Sequence, residues 1–247
     1  TAVGVSYRLF SMFMLAPETG FSTRRLISSV VLALAILWSG LLVSFLHPNL
    51  ARLMETIAIL LFGIALAFYL ADIARMVRSR RRKTLELNTI AGVGALIYLV
   101  VAFVMLAVEQ IAPDTVPLGQ ATVYALVMGW LSGLGLAQLY KIVPFLTWLE
   151  AYGPVMGRAP VPRVQDLVKE ARGRIWFILY HVGVSIGVVA LLLGVGMLFR
   201  LAALAECAAV AGLVVEFVRA RRLEYAPTDI RLPQGAVRPH LLYANQN

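Results

Sequence analysis

Cysteine, histidine and charge are all scarce in this chain of 247 residues. A single cysteine, Cys207, excludes an intrachain disulfide and a thiolate metal cluster. It sits in an apolar segment and reads as a small packing residue. Three histidines, His47, His181 and His240, occur with no His-x-His or paired spacing, so a copper site needing about three imidazoles has no donor set here. Gly-rich phosphate loops, a nucleophile elbow and HExxH spacing are also missing, which removes the common nucleotide, acyl-transfer and metalloprotease readings.

What is abundant is apolar surface. Hydrophobic residues make up 60% of the chain against 14% charged, and the mean hydropathy is +0.83. Soluble domains run near 45 to 50% apolar and about 25% charged. A bilayer core needs about 20 apolar residues per helix, and a helix satisfies its own backbone in lipid where an open sheet cannot. Six such runs occur: Leu26–Leu46, Leu53–Leu70, Ile90–Val108, Leu118–Val143, Ile175–Leu198 and Leu201–Val218. The expectation is an all-α, polytopic transmembrane helical bundle of about six full spans. Thr1 to Leu15 read as the end of a further span in a chain that begins upstream, since neither an initiator Met nor a charged leader with a cleavage site opens it.

The formal net charge of +9 invites a nucleic-acid partner, but the positions of the bases argue against one. Arg24 and Arg25, then Arg75 to Lys83, then Lys141 to Arg174, then Arg219 to Arg238 all fall at span ends or in loops that threading places on one face. The other face holds Arg52 and Arg200 beside Glu109 and Asp114. That asymmetry is the positive-inside pattern and makes the basic face and the C-terminus cytoplasmic. The same basic residues suit anionic lipid headgroups, so the bilayer is an expected partner.

A weak internal repeat is legible. Tyr7, Arg8, Leu9 and Phe10 are echoed by Tyr140, Lys141, Ile142 and, after Val143 and Pro144, Phe145. Each segment leads to a loop, two spans, and an acid three residues before an arginine: Asp72 with Arg75, and Glu216 with Arg219. Leu85 with Glu86 and Leu223 with Glu224 follow the two basic runs. Both copies keep one orientation, which disfavours an inverted-repeat transporter. The expected division is 1–87 for the first repeat, 88–117 for a connecting span, 118–224 for the second repeat with a loop at 144–174, and 225–247 for a tail. That tail, with Pro227, Pro233 and Pro239, is expected to be extended and to lie over a partner subunit.

The candidate site residues follow from depth in the membrane. His181 lies about two turns inside the fifth span, where an ionisable side chain is costly and often functional. It is a candidate haem ligand or quinone hydrogen-bond partner, or a neutral imidazole bonded to a neighbouring helix. Glu206 is the deepest acid and the candidate proton relay. Arg8 and Lys141, beside tyrosines at span ends, either snorkel to phosphates or hold the propionate or headgroup of a buried cofactor. The acid and arginine pairs read as solvated helix-end pairs. Gly129, Gly133, Gly183 and Gly187 mark close helix packing.

The stretch YALVMGWLSGLGLAQLYKIVPFLTW from Tyr124 to Trp148, with GVSYRLFSMFMLAPE from Gly4 to Glu18, resembles the subunit I superfamily of haem-copper oxidases, in particular its divergent bacterial subunit I-like members. Gly129 and Trp130 stand as the Gly-Trp pair, Tyr140 and Lys141 follow, and Pro144 closes. The resemblance implies a subunit of about twelve spans in a bacterial inner membrane, with haem and copper on histidines. This chain departs from it, because Tyr124 stands where the family has its histidine. No cofactor is therefore assignable from the residues present, and haem is implied only for a longer protein. Three readings stay open: an accessory subunit of a membrane redox assembly with other membrane subunits and quinone as partners, a haem-binding electron-transfer protein using His181 with a ligand from an N-terminal part upstream of Thr1, and a transporter using Glu206 and His181.

Overall fold

The computed structural model describes residues 2–14, 20–79, 85–112 and 118–240. Arg80, Arg81, Arg82, Lys83 and Asp114 lie outside them, as does the side chain of Arg8. The chain is all-helical, with no strand among the described residues. Its helices are α1 (Ala2–Met14), α2 (Gly20–Val43), α3 (Pro48–Ser79), α4 (Leu87–Ile111), α5 (Leu118–Tyr124), α6 (Gly133–Tyr152), α7 (Glu170–Leu193) and α8 (Gly196–Arg221). A π-helical stretch, Ala125–Ser132, joins α5 to α6.

Among the described residues, six segments are long and apolar enough to cross a membrane. Large apolar side chains such as Trp38, Leu42, Ile97 and Leu193 point outward along them. An apolar exterior of this extent is what lipid requires, and this is a polytopic membrane protein. Cys207 also faces outward on α8, against the expectation of a buried packing residue. Its neighbour Glu206 takes the inward position instead.

Two compact units make up the chain, one from 1–85 with 97–126, the other from 86–96 with 127–247. In the first, α2 and α3 pair as a hairpin. The turn after Val43 is closed by the Leu46 and His47 amides bonding to the Val43 carbonyl, and Pro48 opens α3 at the position where its missing N–H costs nothing. The Gln110 amide of α4 donates to Thr56 of α3 at 2.8 Å. Gly63 leaves room on α3 for the ring of Phe103.

In the second unit, α7 and α8 pair in the same manner. The hairpin turns at Gly194, whose φ of 67° is open to glycine at little cost, while the Val195 amide bonds back to Ala190 at 2.9 Å. Hydropathy alone places this turn near Arg200, but the cap puts Arg200 inside α8. The fourth span differs too. Pro144 lies within α6, which continues to Tyr152, so the expected loop begins as helix.

Beyond α6 the chain forms a small cap with its own core. Tyr152, Leu167 and Leu223 are sealed there, with Trp148 and Ala236 packed around them. Leu223 adopts a left-handed φ of 56°, a costly conformation for a branched side chain that its burial offsets. As far as His240 the tail does not extend away, for the Val237 amide bonds to Ala151 at 3.0 Å and the Tyr152 hydroxyl donates to the Arg231 carbonyl at 2.7 Å. Tyr152→Phe is expected to loosen the tail by about 1 kcal/mol, and Tyr152→Ala by about 3 kcal/mol through the lost core. Limited proteolysis within 227–240 should accelerate in that order.

Candidate functional site

The last turn of α8 carries Arg219 and Arg221, where positive charge complements the helix C-terminus. One turn earlier, the Glu216 side chain is 2% exposed and takes three donors. Arg219 Nη1 lies at 2.8 Å, Arg172 Nε from α7 at 3.2 Å, and the Tyr225 hydroxyl donates at 2.9 Å. Lys169 sits over the Tyr225 ring, 5.0 Å from its centroid. Burial, then the hydrogen bond to Glu216, pushes the Tyr225 phenol above its ordinary value, so it remains a donor. Nearby, Arg221 pairs with Glu150 at 2.7 Å and also reaches the His240 carbonyl.

The first unit repeats this chemistry at Asp72, whose side chain is wholly buried. It accepts from the Tyr7 hydroxyl at 2.8 Å and from Arg75 Nη1 at 2.9 Å. Both acids are therefore interior hydrogen-bond acceptors rather than the solvated helix-end pairs their spacing suggests. The helix turns the acid inward, and the longer arginine carries its charge outward.

Lys141 is committed to an ion pair with Glu86 at 2.5 Å, and Gln165 donates to the same carboxylate at 3.1 Å. The cavity beside the pair, lined by Tyr140, Asn88 and Val168 among others, holds only ≈ 20 Å³, which is room for about one water. Lys141 thus spends its charge on Glu86 rather than on a cofactor's carboxylate. The sequence marks Glu86 only as half of the Leu-Glu pair of the repeat and not as the partner of Lys141, because it stands just before an apolar run, where an acid looks like an ordinary helix-end charge.

His181 is held by glycines. A side-chain carbon at Gly94 of α4 would touch its Nε2 at 3.5 Å, and one at Gly133 of α6 would touch Cε1 at 3.5 Å. The Ala91 carbonyl lies beside the ring, and Tyr180 meets it edge-on at 5.7 Å. Tyr180 in turn donates to the Met128 carbonyl at 2.7 Å, within the π-helical stretch where the regular bonding ladder is altered. Both ring nitrogens are sealed from solvent. In this packing neither ring nitrogen is open to an iron porphyrin.

Glu206, 3% exposed, packs against Gly183 of α7, where an added carbon would meet its Cγ at 2.9 Å. Positions 181 and 183 are about 200° apart around α7, so His181 and the contact of Glu206 fall on different faces. The structure therefore does not unite these two in one pathway. Among the described residues, no three His, Cys, Asp or Glu side chains converge as a metal site.

Comparison with protein-family models, curated proteins and solved structures finds no match for this chain.

Proposed function

We propose that this chain is a non-catalytic, integral-membrane subunit of a larger membrane redox assembly, related in design to haem-copper oxidase subunit I. Its basic ends and C-terminus face the cytoplasm of a bacterial inner membrane. The observation that supports the non-catalytic role is the sealing of His181 between Gly94 and Gly133. The deepest histidine is spent on joining three helices. Lys141, Glu216 and Asp72 are likewise engaged within the chain. Support for the redox context comes from the Tyr124 to Trp148 stretch and its likeness to subunit I.

A reduced-minus-oxidised spectrum tests both parts. In mild detergent the protein is expected to co-purify with a haem-bearing membrane partner. After separation to homogeneity it is expected to show no haem bands. His181→Ala should leave the spectrum of the assembly unchanged and lower the chain's own stability by about 2 kcal/mol through the cavity it opens. Haem bands that stay with the purified chain and vanish in His181→Ala would overturn the non-catalytic role. A mild preparation without any redox partner would overturn the assembly.

A further inference from the structure

The α2/α3 hairpin contains a second feature, far along the chain from the residues above. Near its tip a cleft of ≈ 380 Å³ opens between the two helices, lined by Leu37, Trp38, Gly40, Leu41, Ser44, Ala51 and Glu55. Gly40 lets the helices close beneath it, since a side-chain carbon there would meet Met54 Cβ at 3.2 Å. The walls are apolar and open to the surroundings of the bundle. The polar groups gather at the tip end.

Depth places that end among lipid headgroups. At 32 residues, α3 is about 48 Å long, well beyond a hydrocarbon core of about 30 Å. Arg52 and Glu55 stand on its first two turns, one helical turn apart and both exposed. Among the described residues they form no ion pair, with each other or with a third group. Glu55 lines the cleft, and Arg52 stands one helical turn before it on α3, just beyond the lining. Ser44 donates its hydroxyl proton to the Leu41 carbonyl at 2.7 Å, which leaves its oxygen able to accept.

We propose that this cleft binds one phospholipid carrying a primary-amine headgroup. Its ammonium sits on Glu55 and the Ser44 oxygen, its phosphate meets Arg52, and an acyl chain runs past Trp38 and Leu41. Charge complementarity selects this occupant. A zwitterion matches the adjacent opposite charges, and an ammonium with three N–H donors fits a carboxylate and a hydroxyl oxygen. A trimethylated amine keeps its charge but has no proton to give. A glycerol headgroup brings no cation to Glu55.

The test is native mass spectrometry of the delipidated full chain, titrated separately with phosphatidylethanolamine, phosphatidylcholine and phosphatidylglycerol of matched acyl chains. The ethanolamine lipid is expected to bind roughly tenfold tighter than the choline lipid, the difference of one charge-assisted hydrogen bond. Glu55→Gln should remove the preference, weakening the ethanolamine lipid most, the choline lipid less because it loses only an ionic attraction, and phosphatidylglycerol not at all. Ser44→Phe, which fills the cleft from an exposed position, should weaken all three. Equal binding of the ethanolamine and choline lipids, a preference that survives Glu55→Gln, or tighter binding of phosphatidylglycerol would each overturn the proposal.

Discussion

Gly212→Leu is expected to cost the α7/α8 hairpin about 3 kcal/mol, the upper range for overpacking a filled site. Gly212 is buried on α8 with the indole of Trp176 against it, so that any side-chain carbon would fall into the ring. The ring cannot swing aside cheaply. It packs on the cluster of Phe177, Leu213 and Tyr140, and leaving that cluster would forfeit apolar contacts while the leucine still demanded space. Gly135→Leu is the matching control, because Gly135 is exposed and has open space where its side chain would grow. Thermal unfolding in detergent micelles should show a large loss for the first and almost none for the second. Trp176→Ala should recover part of the loss when combined with Gly212→Leu, since the two side chains compete for one volume. Equal melting of Gly212→Leu and the parent would mean that α7 and α8 do not meet through this face.

The existence of six spans was legible because run length and bilayer thickness are both one-dimensional quantities, and the apolar runs measure them directly. Their ends were less legible, because caps are set by single residues. The left-handed Gly194 closes α7 several residues before the apolar run weakens, and the apolar sequence resumes at once in α8. A window average passes over such a turn. Pro144 misleads in the opposite direction, since it suggests a stop yet lies inside α6. The site was legible in type and not in partnership. His181 could be picked out by its depth, but Gly94 and Gly133, which decide what it does, belong to other helices distant in sequence. Asp72 and Glu216 could be found by their three-residue spacing to arginine. Their burial depends on Tyr7 and Tyr225, which reach them from other elements.

Those two acids should respond unequally to the same substitution. Glu216→Ala strands donors from α7, α8 and the tail at one buried point, and breaking a buried ionic network from one side costs about 3 to 5 kcal/mol. Arg172 is 48% exposed and Arg219 28% exposed, so both recover some hydration, which places the expected loss near the lower bound, about 3 kcal/mol. Asp72→Ala removes the partner of Arg75, which is 60% exposed and regains water readily, and takes away one acceptor of the buried Tyr7 hydroxyl. The expected loss is then about 1 to 2 kcal/mol, the order of one buried hydrogen bond to a charged group. Glu216→Gln should fall between the two, because a neutral amide oxygen can still accept from Tyr225 or Arg219 but no longer offsets two guanidinium charges. Unfolding in mixed micelles, followed alongside protease sensitivity at 227–240, separates these cases. A tail released by Glu216→Ala but not by Asp72→Ala would show that Glu216 anchors the cap through Tyr225, whereas equal losses without tail release would assign both acids to helix pairing alone.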